Sequence, residues 1–363
     1  MPALSPAVAA VRGAVRRVLE ADLGRDCPVS GGPPDGGPPD GRPRLILVAC
    51  SGGADSLALA GATAFVAARH GLGCGLVTVD HGLQPGSATR AATLASWATG
   101  EGFAPVRVAT VDAGNTSGGP GPEAAARAAR YTALADAARE TGAAAVLLGH
   151  TREDQAETVL LALARGGGPR GLAGMPRRRV INGIVFLRPL LDVARRDTSA
   201  ACSALGLTPW EDPHNTDPAY ARSRVRAALP LLVDVLGAGV VGNLARTAGL
   251  LAADVEFLDA VAAREAVAAV DSTGAMSIPV LAEMHRALRG RVLHRWALDL
   301  GSGGSELSSA HVAALEALVC RWRGQGPVAL PGGIRVARVA DRLVADLPVA
   351  WSGRGHDVAR SAE

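Results

Sequence analysis

Leu45-Ile46-Leu47-Val48-Ala49-Cys50-Ser51-Gly52-Gly53-Ala54-Asp55-Ser56 is the stretch that decides the fold. Its first six residues are apolar without a break, the mark of a short strand buried on both faces. The next two positions before Ala54 are glycines, and residues 54–70 then carry helical periodicity. A strand that runs straight into a helix must turn sharply, and the Gly pair lets backbone N–H groups come close to an anion. The helix N-terminus adds free N–H donors and the positive end of its dipole. Ser51 and Ser56 add hydroxyls. Asp55 is out of place in a phosphate nest unless a cation such as Mg²⁺ bridges it to phosphate oxygens. The bland alternative is a Gly-rich turn in which Asp55 and Ser56 merely cap the helix. The loop lacks the G-x-x-x-x-G-K-[ST] pattern, so it is not a Walker-type site.

Outward from this stretch, strands and helices alternate. Strands are predicted at 75–80, 106–111 and 144–149, and helices at 87–100, 123–141 and 153–165. The alternation implies an α/β fold, a parallel doubly wound sheet covered on both faces. Ligands of such sheets bind outside the carboxyl ends of the strands. That rule places Ser51, Asp80 and His150 on one rim. Beyond about Leu232 the pattern changes to amphipathic helices at 244–270 and 309–322, with a hairpin around Pro331-Gly332-Gly333.

Four further segments could carry chemistry. Val79-Asp80-His81-Gly82-Leu83 ends the second strand and is either a polar cap or an edge of a nucleotide pocket. Glu123 to Tyr131 reads EAAARAARY, placing Arg127 and Arg130 on one helical face, either solvated or directed at phosphates. Leu148 to Met175 reads LGHTREDQAETVLLALARGGGPRGLAGM. In it Asp154 and Glu157 project to one side of a helix just past His150. They could be dipole-favourable caps, a Mg²⁺ site, or a pocket for a cationic substrate, and the pocket would be polar and partly open. Residues 166–171 read as a mobile loop bearing Arg170. Trp210 to Arg226 reads WEDPHNTDPAYARSRVR, with turns at the two Asp-Pro pairs and alternating Arg222, Arg224 and Arg226 beside Tyr220, a pattern suited to an RNA backbone.

Composition sets the remaining limits. The formal net charge is +3, and all 37 basic residues are Arg, which favours bidentate phosphate contacts. Arg177, Arg178 and Arg179 form another cluster fit for a polyanion or for a solvated face. Cys27, Cys50, Cys74, Cys202 and Cys320 are scattered with no C-x-x-C pair, so zinc and iron–sulfur motifs have no local support and buried thiols are expected. No apolar run reaches a membrane span, and residues 1–20 read as an amphipathic helix rather than a leader, so the expected address is the cytoplasm.

The loop Ser51 to Ser56 resembles the PP-loop of the ATP pyrophosphatases. The five segments in order, above all GHTREDQAETVLLALARGGGPRGLAGM and DPHNTDPAYARSRVR, resemble the tRNA(Ile)-lysidine synthetase family over about residues 45–232. The resemblance implies ATP and Mg²⁺ as reactants and tRNA(Ile) with a CAU anticodon and L-lysine as substrates. The wobble cytidine would be adenylated with loss of pyrophosphate, and the lysine ε-amine would then displace AMP to give lysidine. By the same resemblance Ser51, Gly52, Gly53, Ala54, Asp55 and Ser56 bind ATP, with Asp55 also at the metal. Arg127 and His150 assist catalysis, Asp154 and Glu157 hold lysine, and Arg222, Arg224 and Arg226 form an Arg-rich tRNA loop. Ser223 stands where the family often has Asn. The implied organisation is an N-terminal helix at 1–28, a flexible Gly/Pro linker at 29–43 and a PP-loop ATP-binding catalytic domain at 44–232. A mainly helical tRNA- or substrate-binding domain follows at 233–347, and a disordered tail at 348–363. Rival readings are a tRNA 2-thiocytidine synthetase or another PP-loop tRNA-modifying enzyme, and a non-catalytic ATP-binding sensor. Oligomeric state stays open, a homodimer being one option.

Overall fold

The computed structural model describes residues 5–23, 43–82, 86–111, 122–211, 217–304 and 306–347. Most of the expected linker at 29–43 and the expected tail at 348–363 lie outside these, as do the loop at 114–121, Leu83, Asp212 to Thr216, and Cys27. The chain divides into two compact units, residues 1–252 and 253–363.

The first unit is built on a six-stranded sheet in the order β3-β2-β1-β4-β6-β5. Its strands are β1 (Leu45–Ala49), β2 (Gly73–Asp80), β3 (Val106–Thr110), β4 (Ala145–Leu148), β5 (Arg178–Ile181) and β6 (Ile184–Leu187). All neighbours run parallel except β5, which pairs antiparallel with β6. Alternate side chains of β1 explain its unbroken apolar run. Ile46 and Val48 enter one core with α1 (Pro6–Leu23) and α2 (Ala54–Arg69), while Leu47 enters another with α4 (Pro122–Thr141). Both faces are therefore covered, as the alternation of elements implies. α3 (Ser87–Gly100), α5 (Arg152–Ala164), α6 (Pro169–Leu172), α7 (Arg195–Ala204) and α8 (Ala221–Leu236) complete the set before α9 (Val240–Ala269), within which the boundary between the units falls.

Two sequence expectations need correction, and the Arg177 to Arg179 cluster takes its solvated-face reading. The N-terminal helix is not a separate piece. Val8, Val11, Val15 and Leu19 of α1 are buried in the same core as α2 and the sheet, because its apolar stripe has that face to cover. Residues 169–171 of the mobile loop expected at 166–171 instead belong to the short helix α6, with Pro169 preset for its first turn. Arg178 and Arg179 lie on the exposed edge strand β5, where charge discourages further strand pairing. Arg177 pairs with Asp192 at 2.6 Å and Arg178 with Asp22 at 3.3 Å, so two of this cluster's three cations are engaged within the protein.

The second unit has its own core. β7 (Met276–Ser277), α10 (Ile278–Glu283), α11 (Arg286–Asp299), α12 (Ser309–Cys320), β8 (Val328–Leu330), β9 (Ile334–Val339) and β10 (Arg342–Asp346) close around Leu281, Leu293, Leu315, Leu318, Val336 and Leu343. β8 and β9 form the hairpin expected around Pro331-Gly332-Gly333. Among the described residues no single helix is long and apolar enough to cross a membrane. Cys50 and Cys202 are buried as expected, whereas Cys320 is exposed.

Candidate active site

The parallel register brings the carboxyl ends of β1, β2 and β4 to one rim, and with them Ser51, Asp80 and His150. The Gly-rich loop is tied together by Ser56. Its Oγ donates to Gly53 O at 2.9 Å and accepts from Ser51 N–H at 3.2 Å. Ser51 is exposed and Ser56 buried, so one hydroxyl faces outward while the other holds the turn. Gly52 sits at φ +83°, a left-handed conformation that costs other residues. Gly149, between β4 and His150, passes so close to the loop helix that a Cβ would stand 3.2 Å from the Asp55 carbonyl carbon and from Ser56 Cα. That contact brings the ends of β1 and β4 together. Trp210 lies over the loop, its backbone N–H donating to Gly52 O at 2.9 Å, with the Arg90 guanidinium 4.5 Å from its ring centre.

Asp55, in the first turn of α2, accepts from Thr198 Oγ1 and lies 3.4 Å from Arg195 Nε. Burial raises its carboxyl above the ordinary value and the charge of Asp154 adds to this, against the opposing pull of Thr198 and Arg195.

Asp154 has two jobs, one per oxygen. Its Oδ2 accepts from the Thr151 N–H at 2.7 Å and the Thr151 hydroxyl at 2.9 Å, so the bland capping role is present. Its Oδ1 faces outward to Arg195 Nη2 at 2.9 Å and Arg226 Nη2 at 3.3 Å. Burial opposes ionisation of Asp154, but Arg195, His150 and the Thr151 N–H outweigh it and hold the carboxyl below its usual value.

Glu157, one turn on, is fully buried. Arg226 grips it in a fork, Nε to Oε1 at 2.8 Å and Nη2 to Oε2 at 3.2 Å. Arg222 Nε lies 3.2 Å from Oε2 as an ion pair, while Arg222 Nη2 donates to Thr158 Oγ1 at 2.9 Å. Arg195 Nη1 completes the set at 3.5 Å from Oε1. The expectation of a partly open acid pair is therefore corrected. Three guanidiniums from α7 and α8 fill the space before the two carboxylates, because a buried Glu demands paired charge.

The alternating arginines also need a different geometry from an Arg-rich loop. They occupy the first turn and a half of helix α8, where residues two apart point to opposite sides. Arg222 and Arg226 face Glu157. Arg224 is exposed and donates to the carbonyls of Pro218 at 2.7 Å and Ala219 at 3.0 Å. Arg195, which bridges Asp55, Asp154 and Glu157, was missed by sequence reading. It belongs to no local motif, and its only signal is an Arg beginning a helix.

His150 has a buried Nδ1 with no partner. Burial first, then the charges of Arg188, Arg130 and Arg222, push its pKa down to about 3 despite Asp154, so the imidazole is neutral at physiological pH. Arg127 and Arg130 of α4 lie 5.3 and 5.8 Å from the centre of the Tyr131 ring. Among the described residues no cluster of three or more His, Cys, Asp or Glu suits a metal ion. A rim so arranged offers backbone and hydroxyl donors to an anion on one side and fixed carboxylates on the other.

Comparison with known proteins gives the family of the chain. Residues 39–232 match the family model described as a PP-loop domain, and residues 276–344 match the TilS substrate binding domain. The tRNA(Ile)-lysidine synthase of Salinispora tropica is 58% identical over 351 residues, covering 96% of this chain and 99% of that protein. The corresponding synthase of Thermobifida fusca is 53% identical over 93% of this chain and 97% of its own. The synthase of Streptomyces coelicolor is 47% identical over 93% and 98%. Among solved structures, the U34-tRNA thiolase NcsA from Methanococcus maripaludis, with its [4Fe-4S] cluster, matches at TM-score 0.50 and 18% identity over 67% of this chain and 80% of that one, a likeness of fold alone. With relatives this similar along almost the whole chain, the chain belongs to the tRNA(Ile)-lysidine synthase family.

Proposed function

We propose that this enzyme attaches L-lysine to the wobble cytidine of the CAU anticodon of tRNA(Ile), at the expense of ATP, in the cytoplasm. The observation that carries the reading is the meeting, on one rim, of the Gly-rich loop with His150, Asp154 and Glu157. The base carbonyl oxygen attacks the α-phosphorus of ATP and pyrophosphate leaves. The lysine ε-amine then attacks the activated carbon, and AMP leaves with the oxygen.

In this reading the N–H groups and outer hydroxyl of the loop bind phosphate oxygens. Asp55 offers carboxylate oxygens at the first turn of α2, the donor type a hard cation takes, and such a cation would stand where Arg195 Nε now lies 3.4 Å from Oδ2. Asp55 would be the residue to hold Mg²⁺, which when bound would supply positive charge to offset that of the leaving pyrophosphate. Arg127 stabilises the charge that develops as adenylation proceeds. Neutral His150 is a proton acceptor beside the reacting groups. Asp154 and Glu157 accept the lysine ammonium in competition with Arg195, Arg222 and Arg226. Arg224, whose guanidinium is exposed, contacts the tRNA backbone, and Arg222 and Arg226 act through the acids.

Mass spectrometry of tRNA(Ile) incubated with ATP, Mg²⁺ and lysine tests the proposal. The expected product is tRNA heavier by one lysyl group, formed only with all reactants. Gain of sulfur when a sulfur donor replaces lysine would support the thiolase reading. Unmodified tRNA with intact ATP binding would support a sensor.

A further inference from the structure

Arg188, the first residue past β6, is the largest of the fully buried side chains among the described residues, at 1% exposure. Its Nη1 donates to Pro176 O at 2.7 Å, and its Nη2 to Tyr131 Oη at 2.9 Å. Its Nε is buried and unpartnered. Among the described residues no carboxylate pairs with it. A buried guanidinium with only neutral acceptors is costly, so the arrangement calls for a reason beyond packing.

The reason lies at the phenol. Arg127 Nη2 reaches the same Tyr131 oxygen at 3.4 Å, and the guanidiniums of Arg127 and Arg130 lie 5.3 and 5.8 Å from its ring centre. A phenolic oxygen can accept two hydrogen bonds, and here both come from arginines. Neither Arg127 nor Arg130 is ion-paired to a described carboxylate. The ring itself is fixed edge-on against Phe186, 5.2 Å between centres. Burial opposes ionisation of the phenol, yet Arg188 and Arg127 outweigh it and hold its pKa below the ordinary value. Two guanidiniums thus meet at one hydroxyl, with a third cation, Arg130, beside the ring. Arg188 extends the strand that pairs with β4, which leads to His150.

We infer that Arg188 and Tyr131 are positioning residues for the adenylation step: Arg188 clamps the Tyr131 hydroxyl, and the hydroxyl holds Arg127 with its other donors free for phosphoryl oxygens. The inference rests on the reading of Arg127 given above. Phe at position 131 would fill the same space on Phe186, so the hydroxyl is what the device needs.

Pyrophosphate release from ATP in the presence of tRNA(Ile) is measured for Arg127→Ala, Tyr131→Phe and the double variant. Lysine transfer to previously adenylated tRNA and melting temperature are measured alongside. Arg127→Ala should lower kcat for release by about 100-fold, the usual cost of losing one charge-stabilising donor. Tyr131→Phe should lower it by about tenfold, with KM for ATP changed less than about twofold and lysine transfer unaffected. The double variant should be no slower than Arg127→Ala, because the phenol acts through that side chain. Arg188→Lys, which keeps the charge but loses the fork, should behave like Tyr131→Phe. Wild-type release by Tyr131→Phe, multiplication of the two defects, or equal loss of both half-reactions overturns the inference while leaving Arg127 in place. Wild-type release by Arg127→Ala overturns the reading of Arg127 as well.

Discussion

Glu157 concentrates the energetics of the site in one side chain. It is wholly buried and touches Arg195, Arg222 and Arg226, so its charge balances cations on two helices at once. Glu157→Gln keeps the shape and removes the charge. The expected loss of stability is about 3 kcal/mol, the lower end for breaking a buried pair, because the arginines retain some access to water. The same variant should raise the lysine requirement far more than the ATP requirement, and adenylated tRNA should accumulate. Equal impairment of both would move the acid pair to a metal role. His150 gives a second test. Its folded pKa of about 3 lies below the ordinary 6.5, so the unfolded chain binds the extra proton between those values. The stability it contributes is complete above about pH 6.5 and is lost as pH falls toward 3, at about 1.4 kcal/mol per pH unit. Denaturant titrations of wild type and His150→Gln from pH 7.5 to 5 should show the variant with the shallower decline. Asp55, which titrates in the opposite sense, is common to both and cancels in the comparison. Parallel curves would mean that His150 takes up a proton in the native state.

Helix α8 shows how an element decides what its residues can do. Arg226→Ala removes the fork on Glu157 and should cost about 3 kcal/mol. Arg224→Ala, on the opposite side, should cost under about 1 kcal/mol and lower the salt dependence of tRNA binding by about one phosphate contact. A salt slope that responds to Arg226 and not to Arg224 would reverse these assignments. The same helix marks where sequence reading stopped. The apolar runs of β1, β2 and β4, the helices between them and the common rim were legible, since burial on both faces writes itself as hydrophobic pattern. The edge hairpin β5–β6 was not, because three of the four β5 residues are exposed and an Arg run carries no strand period. The step from Arg222 to Arg226 was read as a loop, whereas α8 turns it into a helical face. Asp154 and Glu157 were found on one side of a helix, but pairing with arginines 38 to 72 positions away leaves no trace in local spacing.

Across the whole molecule, the two family matches fall on units with their own apolar packing, two clusters on the faces of the sheet in the first and one cluster in the second. The first holds α1 and the sheet, the second the helices and hairpin after residue 253. Leu19 in one and Leu315 in the other are almost fully buried, so replacing either by Ala should cost about 2–5 kcal/mol. A chain of two separately packed units need not unfold in a single step, and calorimetry should resolve two transitions. Leu19→Ala is expected to lower one of them and Leu315→Ala the other. ATP offers an independent marker, because a ligand raises the transition of the part that binds it. The loop at Ser51 to Ser56 lies in the first unit, so saturating ATP should raise the transition that Leu19→Ala lowers and leave its companion in place. Leu19→Ala serves here as a fold probe, since its side chain is buried in the apolar core and no residue of α1 is assigned to the reaction. If both substitutions and ATP move one common transition by equal steps, the two units melt as one cooperative block, and the independence drawn from their separate packing is wrong.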